Sequence, residues 1–401
     1  MITVAEALTK CLALTRALEV EDVPLAAAGG RVLAAPVTAP RDQPPFAAAA
    51  MDGYALRQAD AVPGATLTVV GTAPAGRAWD GRLSTGQAVR IFTGAPIPTG
   101  ADRIVIQEDV ARHGDQITLN HTLDPGHHIR AAGADFRAGA RITAPRRLGP
   151  ADLALAAAMN AATLRVTRRP DVALIATGDE LVRPGQTPRP DQIIASNTYG
   201  LKALVEAEGG HARLLPIARD TETSLRQVLD LAKDADLIVT IGGASVGDHD
   251  LVGHIAADMG LEQAFYKVAM RPGKPLMAGR LGASAMLGLP GNPVSALVCG
   301  HVFLAPMVRA FLGLSTVVTP RRIANLGCDI PANGPRAHFM RAKLHMPPTA
   351  DFPHITPFER QDSSLLSVFA KADALLVRPA HDGPRQAGDR VTYLPIAPMQ
   401  F

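Results

Sequence analysis

Hydrophobic and polar positions divide the chain into three stretches of different texture. The first, up to about residue 168, begins with a helix that the capping-box pair Thr3 and Glu6 predicts. Short apolar segments broken by Pro and Gly follow, such as 66–70 and 87–92, and this pattern is typical of a β-rich region. An Ala/Leu-rich run over 150–162 predicts a second helix near the end of the stretch.

From residue 169 the pattern changes to buried strands that alternate with helices. Strands are expected over 172–176, 212–217 and 237–241, with helices over 198–208 and 223–232 between them. This is the order of βαβ units, which predicts a mostly parallel sheet. A long helix over 293–312 ends the stretch.

The last stretch follows a linker at 319–322 and has short alternating segments without a long helical period. A small β-domain is expected there. The predicted fold class is therefore multidomain α/β. Its parts are a β-rich N-terminal region at 1–168, a central α/β domain at 169–318 and a C-terminal β-domain at 319–401.

The composition narrows the class of protein. At 401 residues the chain is long enough for two or three domains, each with its own core. Its 40 basic and 37 acidic residues give a net charge of +3 without a dense basic run, so no nucleic-acid partner is expected. The three cysteines, Cys11, Cys299 and Cys328, lack metal-ligand or redox spacing, which indicates a reducing compartment.

No export or membrane segment is expected. The N-terminus lacks the basic start and apolar core of a secretory signal. The apolar runs over 153–162 and 294–308 are shorter than the roughly 20 residues of a membrane span, and the second is interrupted by His301 and Pro306. The sequence therefore predicts a cytoplasmic protein.

A glycine-rich loop after the strand over 237–241 is the first candidate for chemistry. In an open parallel sheet, ligands bind at the carboxyl ends of the strands, where Gly242 and Gly243 would let backbone N–H groups surround a phosphate. Ser245 adds a hydroxyl, and Asp248 and Asp250 suit a hard cation such as Mg²⁺. An ordinary glycine-rich turn with two solvated carboxylates is the alternative.

Two further segments suit anions. Asn292 and Pro293 open the long helix as N-cap and first helical residue, and helix starts bind anions, although simple capping explains the same residues. A Pro-Gly turn at 272–273 is preceded by Lys267 and Arg271 and followed by Lys274. These three cations could bind a phosphate or another oxyanion, and a basic turn exposed to solvent is an equally good explanation.

Acidic residues complete the pattern. Glu180 follows the first strand of the α/β stretch, so it is expected at the same sheet edge as Asp250, where two carboxylates can share a cation. Each of the segments 51–55 and 91–95 is a hydrophobic stretch that turns at a glycine, and this pattern alone predicts a turn and nothing more. The twelve histidines lack metal-ligand spacing.

In their order along the chain, these segments resemble the molybdopterin molybdenumtransferase (MoeA) family, which includes the C-terminal domain of gephyrin. The resemblance covers nearly the whole chain. It is carried by Pro44-Pro45-Phe46, Met51-Asp52-Gly53-Tyr54-Ala55, Ile91-Phe92-Thr93-Gly94-Ala95, Pro98, Gly100-Ala101-Asp102, Gly133-Ala134-Asp135, Thr177-Gly178-Asp179-Glu180-Leu181, Ser196-Asn197-Thr198-Tyr199, Gly242-Gly243-Ala244-Ser245-Val246-Gly247, Pro272-Gly273-Lys274-Pro275 and Leu289-Pro290-Gly291-Asn292-Pro293-Val294-Ser295.

The resemblance implies an elongated homodimer. Each subunit would have an N-terminal region of two interleaved subdomains, a molybdopterin-binding α/β domain and a C-terminal β-barrel. The implied reaction joins molybdate to adenylylated molybdopterin with Mg²⁺ or a similar cation, giving molybdenum cofactor and AMP. A molybdopterin adenylyltransferase and recipient molybdoenzymes are the implied partners.

The resemblance also implies roles for individual residues. Glu180 and Asp250 would hold the metal with Asp220 nearby, and Lys267 would assist with the substrate phosphates. Asp52, Thr93 and Asp135 would act from the facing subunit. The implied substrate-binding residues are Gly242, Gly243, Ser245, Gly247, Arg271, Lys274, Pro275, Asn292, Ser295, Arg341 and Ser363.

Two departures and two alternatives accompany the resemblance. Ala47–Ala50 stand where the family usually has polar residues, and Arg271 stands where it often has Lys. The related adenylyltransferases resemble only the α/β region and carry a Gly-Gly-Thr-Gly loop, whereas this chain has Ala244 at the third position. A non-catalytic pterin-binding scaffold is the other alternative.

Overall fold

The predicted N-terminal helix forms at Val4–Ala13. The computed structural model of the protein describes residues 1–243 and 251–396. The capping box is present, since Glu6 N donates to Thr3 Oγ1 at 3.2 Å and Thr3 N donates to the Glu6 carboxylate at 2.7 Å. Ala7 and Cys11 of this helix are buried in the core of the α/β domain. The start of the chain thus covers a domain formed mainly by residues beyond 170.

The N-terminal region is built from two β-units. One is a four-stranded sheet covered by the helix Pro150–Ala158, and Leu33, Leu164 and Val166 lie in its core. Its strands, in spatial order, are Val20–Pro24, Thr163–Thr167, Val32–Leu33 and Arg146–Arg147. Because its strands come from both ends of the region, the chain leaves this unit and returns to it.

The intervening chain forms the second unit, a six-stranded sheet with a core on each face. Its strands, in spatial order, are Arg103–Ile106, Gly53–Leu56, Gln87–Ile91, Thr66–Ala73, Gln116–Leu119 and Val110–His113. Two small two-stranded sheets lie along the connections, Val37–Thr38 with Arg141–Ile142 and Ala48–Ala49 with Ile129–Arg130.

The central domain is a six-stranded sheet with helices on both faces. Its strands, in spatial order, are His211–Leu214, Asp171–Ala176, Leu237–Ile241, Ser284–Leu289, Met277–Leu281 and Leu261–Tyr266. The first four strands are parallel to one another, and Met277–Leu281 runs antiparallel to both of its neighbours. This confirms the predicted mostly parallel sheet. Alternate residues of each central strand face opposite cores, as Val239 and Ile238 do. The covering helices are Asn197–Ala207, Glu222–Ala232, Leu251–Asp258 and Pro293–Phe311.

The long helix is not regular throughout. It is α-helical over Pro293–Cys299, forms a π-type turn over Gly300–Leu304 and continues as Ala305–Phe311. This wide turn lies directly before Pro306, which has no N–H and so cannot donate a hydrogen bond to a carbonyl one turn earlier in the helix. By length and composition the helix passes for a membrane span, but 78% of its most apolar window is buried inside the protein. It is therefore a core helix.

The C-terminal domain is a closed five-stranded barrel. Its strands, in spatial order around the barrel, are Ala337–His345, His354–Pro357, Arg322–Leu326, Arg390–Pro395 and Ala374–Arg378, and the last pairs with the first. The short strand Met270–Arg271 of the central domain pairs in parallel with Ala337 and His338. The barrel predicted from the family resemblance is confirmed, whereas the predicted boundaries at 168 and 318 stay predictions.

Candidate active site

A cleft of about 810 Å³ opens at the carboxyl ends of two parallel strands, Asp171–Ala176 and Leu237–Ile241. The start of the long helix and Ser364 from the barrel domain also line it. The volume is within the range of about 300–1,000 Å³ that is usual for small-molecule sites. The predicted edge of the sheet therefore carries a site in which two domains meet.

Two of the predicted acidic residues lie on this cleft. Glu180 and Asp220 both line it and are exposed to solvent. Arg219 joins their loops, because its Nη1 donates to Asp179 O at 2.8 Å while Asp220 N donates to Asp179 Oδ1 at 3.3 Å. Asp250, the third predicted ligand, lies outside the described residues, and within residues 1–243 and 251–396 no group of three or more potential metal ligands occurs.

Gly242 and Gly243 line the cleft as predicted, and the backbone around them requires glycine. Their φ angles are +100° and +66°, a region that other residues rarely adopt. A Cβ atom on Gly243 would lie 2.3 Å from Val252 Cγ2, and one on Gly242 would lie 2.8 Å from Thr177 O. Close packing alone therefore accounts for both glycines. Ser245 and Gly247 lie outside the described residues.

The helix start differs in detail from the prediction. Asn292 is the N-cap and Pro293 the first helical residue, but the Asn292 side chain makes no capping hydrogen bond and instead lines the cleft. The N–H groups at the helix start have no acceptor within the helix, and that of Val294 donates to Ser363 O at 3.1 Å. Ser295 is buried in the first turn. A backbone oxygen from the barrel thus takes part of the role expected of the Asn side chain.

The loop that carries Ser363 is held by a buried arginine. Arg341 is 1% exposed, and its Nη1 and Nη2 donate to Asp362 O at 2.9 Å and to Arg360 O at 3.1 Å. Its Nε atom is buried without a partner among the described residues. The neighbouring Ser364, which the sequence interpretation did not single out, lines the cleft. In this structure Arg341 therefore fixes the loop, and Ser363 contributes its carbonyl.

The basic segment approaches the cleft through one residue. Pro275 lines the cleft, whereas Lys267, Arg271 and Lys274 are not among the described residues that line it. The turn is held by its backbone, since Val268 N and Leu276 N both donate to Lys274 O, at 3.1 and 3.0 Å.

A group of positive charges lies where this segment meets the barrel. His338, opposite Arg271 in the strand pairing, is buried, and burial lowers the pKa of its imidazole from 6.5 to about 4. The neighbouring guanidinium groups that lower it further are those of Arg271, Arg341, Arg378 and Arg336. Arg378 is paired with Asp382, so the positive potential that favours anions here comes from Arg271, Arg336 and Arg341.

The predicted N-terminal residues lie outside this cleft. Asp52 and Thr93 are hydrogen-bonded to each other in the second β-unit, with Thr93 N and Oγ1 both donating to Asp52 Oδ1. Asp135 is exposed in a turn, where its N–H donates to Gln43 O at 3.0 Å. None of the described residues that line the cleft comes from residues 1–160.

Two of the alanines before Asp52, Ala48 and Ala49, are buried packing residues. Ala48–Ala49 is a strand that pairs with Ile129–Arg130, and Ala49 is fully buried beside Ile91 and Ala95. Gly94 N donates to Ala49 O at 2.9 Å, which ties the strand to the turn that contains Thr93. The small side chains are explained by this close packing.

Besides Ser364, the sequence interpretation missed two further contributors to the cleft. Asn197 Nδ2 donates to Gly291 O at 2.7 Å, which joins one helix start to the loop before another. The exposed pair Ile193–Ile194 forms a two-stranded flap with Leu181–Val182 and lines the cleft. Asn197 lies in one of the motif segments, but the flap has no signal beyond two apolar residues in a polar stretch.

Comparison with known proteins agrees with this geometry. Three family models match: the MoeA N-terminal region (domain I and II) over residues 2–160, a probable molybdopterin binding domain over 173–310, and the MoeA C-terminal region (domain IV) over 324–396. The chain is similar to molybdopterin molybdenumtransferase 2 of Mycobacterium tuberculosis, with 40% identity and 85% of each chain covered. It is 32% identical to the molybdopterin molybdenumtransferase of Haemophilus influenzae, with 99% of each covered. Among solved structures, the molybdopterin biosynthesis MoeA protein of Pyrococcus horikoshii matches with a TM-score of 0.82 and 27% identity, covering 99% of this chain and 100% of that one.

Proposed function

The chain belongs to the molybdopterin molybdenumtransferase (MoeA) family, and from this premise we propose that it inserts molybdate into adenylylated molybdopterin with release of AMP. Its class, a transferase of molybdenum cofactor biosynthesis, follows from the membership. The observation that carries the proposal is the cleft in which Glu180 and Asp220 face a helix start and a barrel loop. Such a cleft offers both cation ligands and anion donors to one substrate.

Mg²⁺ is the cation that we propose for the reaction. Glu180 and Asp220 supply carboxylate oxygens, and Mg²⁺ is usually bound by one or two carboxylates together with substrate phosphates and water. The donor set fits the ion. When bound, Mg²⁺ would neutralise the charge that develops on the phosphates as the pyrophosphate link is cleaved. By the family resemblance, Asp250 would be a further ligand.

The protein's own groups would bind the two anionic substrates. The positive end of the long helix favours phosphate at Asn292, and Ser364 adds a hydroxyl from the barrel side. The potential around Arg271 and Arg341 favours molybdate near the junction of the two domains. These contacts would orient the substrates and do not themselves require proton transfer.

We propose that the active protein is a homodimer in the cytoplasm. Asp52, Thr93 and Asp135 lie outside the cleft lining of their own chain, so they would reach a cleft only from a second subunit, as the family resemblance implies. A molybdopterin adenylyltransferase would supply the substrate, and molybdoenzymes would receive the cofactor. Sedimentation at micromolar concentration tests the dimer, and an active monomer would contradict it.

The two alternatives are less well supported. The adenylyltransferase interpretation concerns the α/β region alone, whereas family models match the regions on both sides of that domain. A scaffold would be favoured if the alanines before Asp52 replaced substrate contacts, but Ala48 and Ala49 are buried and so have a packing role that is compatible with catalysis. Molybdenum insertion therefore stays the proposal.

Purified protein incubated with adenylylated molybdopterin, molybdate and Mg²⁺ tests the proposal. We expect AMP release and activation of an apo-molybdoenzyme, and we expect Glu180→Gln to lower AMP release by at least about tenfold because it removes a metal-binding charge. Glu262→Gln is the matched control, since Glu262 is exposed on an edge strand outside the cleft lining. Tight pterin binding without AMP release, while a homologous enzyme works in parallel, would favour the scaffold.

A further inference from the structure

Arg90 lies where three segments meet around Asp52. Its strand, Gln87–Ile91, pairs with Gly53–Leu56, which sets Arg90 opposite Tyr54. The central guanidinium carbon is 5.1 Å from the ring centroid of Tyr54 and 4.7 Å from that of Phe92. Both distances are in the range of cation–π contacts, so the two rings hold the guanidinium in place.

The hydrogen bonds of Arg90 reach the other two segments. Its Nη1 donates to Gly53 O at 3.0 Å and its Nη2 donates to Gln107 Oε1 at 2.6 Å. Gln107 N in turn donates to Asp52 O at 3.2 Å. The Gly53 carbonyl thus accepts directly from Arg90, and the Asp52 carbonyl accepts from the backbone of Gln107, whose side chain Arg90 also binds.

The third segment carries the donors to the Asp52 side chain. Phe92, under the Arg90 guanidinium, precedes Thr93, whose N–H and hydroxyl both donate to Asp52 Oδ1. A guanidinium stacks its planar face on rings while its rigid fork donates in the plane to separate acceptors, whereas a lysine ammonium is a compact point charge without a planar face or a fixed fork. Arg90 therefore contacts Gly53, which follows Asp52, and Phe92, which precedes the Thr93 that binds the Asp52 carboxylate.

We propose that Arg90 is a positioning residue of the active centre, which holds the Asp52 carboxylate and Thr93 in register without touching substrate. The inference rests on the proposed function, in which Asp52 acts in catalysis. It concerns a residue for which neither the motifs nor the cleft lining gave a role.

A double-variant cycle tests whether Arg90 acts through Asp52. We expect Arg90→Ala to lower kcat for AMP release by about tenfold with the KM for adenylylated molybdopterin nearly unchanged, and to cause no further loss in an Asp52→Asn background. Arg90→Lys keeps the charge but loses the fork, so it should restore only part of kcat. Arg112→Ala, which removes an exposed arginine of the same sheet, is the control and should match the wild type. Losses that multiply in the double variant, or full kcat in both Arg90 variants, would overturn the proposal.

A second measurement is independent of activity. Carbon-13 NMR of labelled aspartate should show the Asp52 carboxylate titrating at higher pH in Arg90→Lys, which keeps the charge, than in Arg112→Ala. A shift in Arg90→Ala also contains the loss of the Arg90 charge, so Arg90→Lys is the decisive variant. If the wild type releases no AMP, the proposed function fails and this titration decides the positioning role. An Asp52 midpoint in Arg90→Lys identical to that in Arg112→Ala, with the wild-type circular dichroism retained in both, would refute it.

Discussion

Thr93 donates two hydrogen bonds to one carboxylate oxygen of Asp52, from its backbone N–H at 2.8 Å and from its hydroxyl at 2.7 Å. These bonds stabilise the charged carboxylate, the backbone bond most, and together with the charge of Arg90 they lower the pKa of Asp52 below its usual 3.8. The two residues are 41 positions apart in the sequence, so the pairing depends on the sheet that joins their strands.

The hydroxyl of Thr93 is the part of this pairing that a substitution removes cleanly. Thr93→Val keeps the N–H and the shape but loses the hydroxyl, so we expect the pKa of Asp52 to rise and the acid limb of the pH–rate profile to move to higher pH. Thr93→Ser keeps the hydroxyl and should leave the limb near its wild-type position. A profile that Thr93→Val does not move would show that the hydroxyl bond is unimportant.

Arg341→Lys should destabilise the barrel loop. The compact lysine ammonium lacks the fork that reaches both Asp362 O and Arg360 O, so at least one of these hydrogen bonds is lost, at a cost of about 0.5–1.5 kcal/mol in the free energy of unfolding. Urea unfolding measures the loss. Arg360→Lys, at an exposed side chain of the same loop, serves as the control and should change stability by less than about 0.5 kcal/mol.

Lys274→Ala should weaken the use of molybdate while adenylylated pterin still binds. The turn is held by hydrogen bonds to the Lys274 backbone oxygen, so removing the side chain leaves the turn intact. We expect the molybdate concentration for half-maximal AMP release to rise severalfold. Lys371→Ala, at an exposed position on the barrel, should have no such effect. An unchanged molybdate dependence would reject the assignment.

Ala49→Ser should lower stability. Ala49 is fully buried, and a hydroxyl there without a hydrogen-bond partner costs about 1–3 kcal/mol. Ala50→Ser is the matched control, because Ala50 is only partly buried and a hydroxyl there can reach water. Chemical denaturation of the two variants compares them, and equal stabilities would contradict the packing role of Ala49.

His338 makes stability depend on pH. Its pKa is about 4 in the folded protein, because of burial and the surrounding guanidinium groups, against 6.5 ordinarily. Between these values the unfolded chain binds the proton and the folded protein does not, so stability falls as pH drops from about 6.5 to about 4, by roughly 3 kcal/mol. His338→Gln should make this slope shallower in urea unfolding and leave the share of His301, whose pKa burial also lowers to about 4, whereas His113→Gln, at an exposed position, should not change the slope.

Local patterns were sufficient for the elements that frame the cleft. The strand expected over 237–241 is present as Leu237–Ile241, and the helix expected from Pro293 begins there, because buried strands and Pro-started helices have signals within a few residues. The position of Glu180 on the cleft could be predicted because ligands bind at the carboxyl ends of the strands of parallel sheets.

Other features depend on how distant segments combine. The role of Arg341 needs a closed barrel that brings the loop at 360–364 beneath it, and no local signal specifies that loop. The burial of Ala49 depends on strands that pair across about 80 residues, between Ala49 and Ile129.

The position of the first helix has a consequence for the order of events during synthesis. Val4–Ala13 is made first, yet the core that receives Ala7 and Cys11 includes Phe311, whose carbonyl accepts a hydrogen bond from Leu18 N at 2.9 Å. At about 5–20 residues per second, a ribosome needs roughly 15–60 s to travel between these positions. Until residues 261–311 have been made, the segments that this helix contacts most are missing, so its apolar face stays without its native partners while most of the chain is synthesised.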